Sequence, residues 1–346
     1  MFDTDVFVIG GGPAGIAAAI AARSRGFRVI VADGSRPPID KACGEGLMPD
    51  SIAAASDIGI RLAEAGGCPF RGIRFHGDGY CVASDFPRGC GLGFRRTKLH
   101  ALLLDQAAHA GVEMLWQTPV TGIGSIDVRL NRRSVSTRWI VGADGSGSRV
   151  RQWAGLDRFT RNSRRFAYRR HFARKPWTEF MEIYWGEGCQ AYVTPVGDEV
   201  CVVVISRARG PLLTEALARF PQLEAYLAGA PLSSRERGAV TATALLRSAV
   251  RGNVALIGDA SGSVDAITGE GLCQAFRQAA ALADAMAAGD LSRYGRLHRH
   301  IRRRPTFMAD LMLSMDRWPA ARRRALGVLS AHPQWFRKLL AVHVGA

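Results

Sequence analysis

The sequence predicts an α/β protein: a parallel βαβ domain assembled from separated stretches of chain, a second domain on a mixed antiparallel sheet, and a helical C-terminal extension. Three observations predict it. Apolar strand-like runs flank a glycine turn at the N-terminus, short apolar runs alternate with glycine turns between 166 and 206, and arginine-rich amphipathic sequence fills 291 to 346. A chain of 346 residues is long enough for about two domains, each with a core that needs neither disulfides nor metals.

The first unit opens with Val6-Phe7-Val8-Ile9, a run suited to a strand buried on both faces, followed by a glycine turn and the alanine-rich helix expected from Ile16 to Arg25. Phe27 to Ala32 is the next strand. Such units close right-handed with parallel strands. Apolar positions at 99, 102, 103, 107 and 110 predict an amphipathic helix over 96–110, ended by Gly111 and followed by the strand Val112 to Trp116. Trp139-Ile140-Val141-Gly142 and Asn253 to Ile257 repeat the buried-strand pattern, and Gly271 to Ala288 is expected to be a long helix.

Between them, Phe180 to Trp185, Ala191 to Thr194 and Val200 to Ile205 are expected as antiparallel strands without crossover helices. The nucleotide-binding domain is therefore expected to comprise residues 1–70, 95–160 and 245–290, the substrate domain 71–94 and 161–244, and the helical extension 291–346, with breaks at Pro305, Pro319 and Pro333.

Composition narrows the class. Apolar residues at 47% and charged residues at 22% are those of a folded globular protein and argue against disorder or a fibrous repeat. The net charge is +16, from 46 Lys and Arg against 30 Asp and Glu. The basic residues of Arg161 to Lys175, 302–304 and 322–324 carry no nucleic-acid motif, so nucleic acid is not an expected partner and most of them are expected on solvated faces. Seven cysteines, at 43, 68, 81, 90, 189, 201 and 273, form no Cys-x-x-Cys pair, which points to free thiols in a reducing compartment. With no basic leader before the first apolar run, the expected location is cytoplasmic, with peripheral attachment to a membrane left open.

The spacing Gly10-x-Gly12-x-x-Gly15, with Pro13 and Ala14 inside it, lies between a strand and a helix. There a tight turn, close approach of backbone to a pyrophosphate and close helix–strand packing each require glycine. Asp33 ends the second strand 18 residues after Gly15, where a carboxylate accepts from an adenosine ribose. This Rossmann-like pattern leaves FAD and NAD undecided.

Two later segments carry a resemblance. Val141-Gly142-Ala143-Asp144-Gly145, and Gly258-Asp259 with Thr268-Gly269-Glu270-Gly271-Leu272, are similar to the Asp-Gly motif and the second FAD segment of flavoprotein monooxygenases. The chain resembles the superfamily with the para-hydroxybenzoate hydroxylase fold, which includes aromatic hydroxylases, flavin halogenases and geranylgeranyl reductases. The resemblance spans roughly residues 1 to 290 by motif order. It implies an FAD-binding βαβ domain, a hydrophobic small-molecule substrate and NADPH or NADH as electron donor. It places Asp259 at the ribityl chain, Gly269, Gly271 and Leu272 beside the flavin ring, Arg96 (with Arg95 as rival) at the start of the third helix, Val120 at the adenine, and Asp144 at the Asp-Gly position. Turn or helix-cap roles are the ordinary alternatives for these aspartates.

Lys41-Ala42-Cys43-Gly44-Glu45-Gly46-Leu47 resembles the Cys-Gly-Gly-Gly stretch of geranylgeranyl reductases, with Glu45 replacing a glycine. Cys43 as a proton relay and Glu45 as a base are the catalytic candidates; packing and solvation are the alternatives. Tyr192-Val193-Thr194-Pro195 lacks the tryptophan of the reductases and halogenases at Val193. Tyr184, Trp185 and Tyr192 are candidates to line a pocket or simply to fill the core. Trp318, Trp335, Phe336, Leu339 and Leu340 suit a membrane surface or a pocket cap, but ordinary helix packing is the stronger expectation.

The preferred expectation is an NAD(P)H-dependent FAD monooxygenase of an aromatic or polyketide-like molecule. The alternative is a reductase of isoprenoid double bonds, favoured by Cys43 to Leu47. A third is a flavin-binding protein that docks on membranes without turnover. Sequence leaves the oligomeric state open.

Overall fold

A computed structural model describes residues 2–161, 163–209 and 213–345. The central sheet runs in the order 250–251, 254–256, 134–142, 4–9, 29–32, 113–115, parallel except for its first strand. Its register aligns the strand ends: Ile9 pairs with both Ala32 and Gly142, and Gly142 pairs with Leu256. The residues immediately beyond, Gly10, Asp33, Ala143 and Ile257, therefore emerge along one edge, where open α/β sheets bind ligands.

Alternation along Thr4–Ile9 divides the core. Val6 and Val8 pack with Ile16, Ile20, Leu99, Leu103 and Phe276 beneath the helices Pro13–Arg23, Arg96–His109 and Gly271–Ala287. Phe7 and Ile9 pack on the opposite face against Val120, Val128 and Val135 of an antiparallel meander. A strand buried on both faces reads as an unbroken apolar run, the pattern of Val6 to Ile9 before the glycine turn.

The second sheet has seven strands, in the order 237–241, 165–172, 200–206, 189–195, 180–186, 72–77, 80–85. All neighbours are antiparallel except 72–77 with 180–186, so the sheet is mixed. Ile183, Trp185, Val203 and Ile205 face the C-terminal helices. Tyr184, Val202 and Val204 face Leu213–Leu217 and Pro221–Leu227.

Two expectations need correction. Pro305 does not break a helix but lies buried inside Leu291–Arg317. A mid-helix proline costs about 3 kcal/mol, and burial of Tyr294 and His298 before it and Met308, Ala309 and Met312 after it outweighs that cost; Pro319 and Pro333 do start new helices. The basic run also differs. The side chain of Arg161 lies outside the described residues, but Arg165 and Arg169 are among the largest fully buried side chains. The strand 165–172 turns alternate residues inward, and Arg165 meets Asp265 in an ion pair with both partners buried, the condition under which an arginine is tolerated inside.

Glycine is required where the strands and the first helix converge. A Cβ on Gly15 would lie 1.9 Å from the Gly10 carbonyl oxygen, and one on Gly10, at φ +115°, would lie 2.4 Å from that of Ala143. Gly15→Ala and Gly10→Ala are each expected to lower the unfolding free energy by about 1–3 kcal/mol, read as a shifted denaturant midpoint; an unchanged midpoint would refute the close approach. Acid should destabilise the fold. Burial depresses His298 to about 3 and His343 to about 4, so the unfolded chain binds protons that the folded chain refuses. Stability should therefore fall as pH drops from about 6.5 toward 4. Glu270, raised to about 7 by burial, acts with the opposite sign above about 4.5, one group against two. His298→Gln should flatten the dependence in urea titrations across that range.

Candidate functional site

A cavity of about 710 Å³ runs from the aligned strand ends to the second sheet. The first helix delivers one wall. Gly12 caps Pro13–Arg23 with no side-chain acceptor, leaving the N-terminal amides of that helix free. A Cβ on Gly12 would meet nothing within 4 Å, and Gly12 lines the cavity. Open space beside free helix-terminal amides is an anion cradle. Asp33 holds this turn in place, accepting from the amides of Gly11 and Ser35 at 2.7 Å each, while still lining the cavity. Each carboxylate oxygen retains a lone pair for a sugar hydroxyl.

The second and third segments complete the long axis. One oxygen of Asp144 accepts from the amides of Arg149 and Val150 at the start of the helix 149–153, which Ser148 caps through the amide of Arg151. The other, Oδ1, is buried without a partner. Arg96 lines the cavity with its Nε likewise buried and unpartnered. Its rival Arg95 points elsewhere, donating to Glu199 at 2.5 Å and to the Ser233 carbonyl. Asp259 pairs with Lys41 at 2.9 Å at the rim. Gly258, at φ +61°, approaches Ala14 so closely that a Cβ would lie 2.7 Å from it. Gly269, Gly271 and Leu272 bring the N-terminus of Gly271–Ala287 to the cavity, again without a side-chain cap.

Of the sixteen catalytic and cofactor candidates, Gly10, Gly12, Pro13, Ala14, Asp33, Cys43, Glu45, Arg96, Val120, Asp144, Gly258, Asp259, Gly269, Gly271 and Leu272 line this one cavity. Gly15 sits behind it, packed on the Gly10 carbonyl. These residues fit FAD by their chemistry: two uncapped helix N-termini suit anionic groups, and the orphaned Asp144 Oδ1 and Arg96 Nε are an acceptor and a donor that burial leaves wanting a partner.

Glu45 is placed unlike a solvated loop residue. It adopts φ +60°, and its side chain is wholly buried. One oxygen accepts from the amide of Arg96 at 3.0 Å. The other lies 2.6 Å from His171 Nε2, and Arg169 stands 3.8 Å from the carboxylate. Arg169 in turn pairs with Asp40, which Arg237 also reaches. Glu45 thus ties the cofactor-side loop to the start of one helix and to the second sheet. His171, Arg169 and Asp40 escaped sequence reasoning because His171 and Arg169 sat in a run read as solvated charge. Their signal was the period-two placement of Arg165, Arg169 and His171 on one face of a strand.

Cys43 lines the cavity, its sulfur accepting from the Glu45 amide at 3.4 Å. Burial pushes the neighbouring Cys201 thiol well up, and Cys201 donates to the Cys43 carbonyl at 3.7 Å. Across from Cys43 the second sheet presents Ala167, Met181, Tyr192, Val203 and Ile205. Tyr192 donates its hydroxyl to the Ile267 carbonyl at 2.9 Å, and burial raises its pKa. Tyr184 and Trp185 are core residues outside the cavity lining. Glu270 turns away from the cavity toward Arg304, 3.3 Å away.

Over residues 3–290 the chain matches the family described as FAD binding domain. It is 28% identical over 324 residues to a menaquinone reductase of Mycolicibacterium smegmatis, covering 84% of this chain and 78% of that protein. A digeranylgeranylglycerophospholipid reductase of Methanosarcina mazei is 28% identical over 329 residues, covering 83% and 77%. Among solved structures, a flavoprotein/dehydrogenase from Cytophaga hutchinsonii superposes with a TM-score of 0.85 at 18% identity over 99% of this chain and 92% of that one, a likeness of fold. With its three motif segments gathered on one cavity and its sequence matched across them, the chain belongs to the FAD binding domain family and is an FAD-dependent oxidoreductase.

Proposed function

We propose that the protein reduces carbon–carbon double bonds in a polyprenyl-chain lipid. The observation that carries this reading is the character of the cavity's far wall. Ala167, Met181, Val203, Ile205 and Val240 offer only apolar surface there. The polar groups nearby are already engaged: Tyr192 by Ile267, Asp265 by Arg165 and Glu45 by His171. A phenol to be hydroxylated gains from a free base that ionises it, and among the described residues on this wall every carboxylate has a partner. An isoprenoid chain needs only apolar contact and exclusion of water.

When bound and reduced, FAD supplies the hydride for such a reduction. The chain's own contribution is the placement of the substrate and of one proton. Cys43 faces the cavity on the loop that Glu45 and His171 hold rigid, and it is the proposed proton donor to the second carbon of the double bond. The relatives named above act, by their names, on a menaquinone and on a digeranylgeranyl lipid, which supports a polyprenyl substrate over the aromatic one preferred from sequence. NADPH or NADH is the proposed reductant.

Two experiments test this. Reduced holoprotein mixed with polyprenyl lipids without oxygen should yield a product carrying two added hydrogens per turnover, with reoxidation of the flavin and loss of product in Cys43→Ser; product that forms only with oxygen and carries an added oxygen atom would establish the monooxygenase instead. Gly12→Ala should leave the unfolding free energy within about 0.5 kcal/mol of the parent, as for substitutions facing open space, yet reduce retained FAD severalfold by absorbance, because its methyl group intrudes on the cradle. Full flavin occupancy in that variant would move the phosphates away from this turn.

A further inference from the structure

We propose that the outer face of the C-terminal helices docks the protein onto an anionic membrane surface. Phe336 and Leu340 pack on the second sheet as helix packing requires, together with Ala309, Met312, Leu326 and Leu329. A second set of apolar residues on these helices does not. Phe307, Leu311 and Trp318 are 61%, 38% and 55% exposed, and Trp335, Leu339 and Val342 are 52%, 38% and 51% exposed. Phe307 and Leu311, four apart in Leu291–Arg317, share one helical face, as do Trp335, Leu339 and Val342, spaced by four and seven in Pro333–Val344; Trp318 stands at the junction between Leu291–Arg317 and the next helix. Both helices bury their opposite faces in the same cluster, so both exposed faces turn away from the same core.

Charge identifies the occupant. Residues 291–346 hold twelve Arg and Lys and two Asp, a net +10 out of the chain's +16. Asp316 is buried against Arg207, which leaves Asp310 as the exposed acid. Arg293, Arg296, Arg299, Arg303, Arg317, Arg323, Arg324, Arg337 and Lys338 are all exposed. Large aromatic and aliphatic side chains interleaved with cations match the interface of an anionic bilayer, where apolar chains enter the acyl boundary and arginines meet the headgroups. Among the described residues no helix is long and apolar enough to cross a membrane, so attachment is by a face.

The cluster beneath these helices also includes Met181, Tyr192, Val203 and Ile205, which line the cavity. The docking helices therefore pack on the same apolar core that forms the cavity's far wall. Docking itself does not depend on the reaction proposed above, since it is measured without turnover.

The test is flotation of the FAD-loaded protein with vesicles of phosphatidylcholine alone and with about one third phosphatidylglycerol. Binding to the anionic vesicles should exceed that to neutral ones by about tenfold, and Trp335→Ser with Leu339→Ser should reduce it by about tenfold. The same variant should retain FAD and the parent's activity toward detergent-dispersed lipid. Failure to float with either vesicle overturns the proposal. So does anionic binding that the double variant leaves intact, which would be charge attraction without insertion. A doubled mass in solution by light scattering that the variant restores to the monomer value also overturns it, because a second copy would then cover this face.

Discussion

The site depends on the register of one strand. Thr4–Ile9 pairs in parallel with Val29–Ala32 on one side and Ser134–Gly142 on the other, and 134–142 pairs in turn with 254–256. Since those ladders end level, the four connections leave the sheet at one edge, and residues as distant in the chain as Ala14 and Gly258 become neighbours. Backbone hydrogen bonds from Gly10 to Ala32 and from Ala143 to Ile9 continue the ladder past the strands. The turn can close only because neither Gly10 nor Gly15 carries a Cβ. A shift of one residue in this register would turn Val6 and Val8 out of the helix-facing core and separate the three cofactor segments together.

The second sheet is attached to this frame by buried polar links rather than by apolar contact alone. Glu45 meets His171, Arg169 meets Asp40, and Arg165 meets both Asp265 and Gln190. Gln190 continues to Asp316 in the long C-terminal helix. Apart from Arg165 with Gln190, which joins two strands of the second sheet, each link has one end in a cofactor-side loop or a C-terminal helix and the other on that sheet. Such pairs add little net stability, but leaving one partner alone costs about 3–5 kcal/mol, so they penalise any docking of the sheet that breaks them. They also engage the carboxylates of Glu45 and Asp265 beside the apolar far wall.

Much of the site was legible from spacing. The glycine turn, Asp33, Asp144, Asp259 and Gly269 to Leu272 lie at strand ends and helix starts, positions that local pattern and motif order reveal. Arg169 and His171 were not read as site residues, because the period-two placement that puts them on one strand face does not by itself say whether that face turns inward; their partners Asp40 and Glu45 decide it. Pro305 misled for a related reason: local propensity votes for a break, and only the packing on both sides of it outvotes propensity.

By itself the sequence determined the parallel βαβ unit at the N-terminus and the residues that gather on the cavity, because strand periodicity and glycine sterics are local properties. Tertiary structure decided the rest. Burial and partner geometry are properties of residues distant in the chain, and they alone show Glu45 sealed against His171, Arg96 rather than Arg95 at the cavity, and Trp335 and Leu339 exposed while Phe336 and Leu340 are buried.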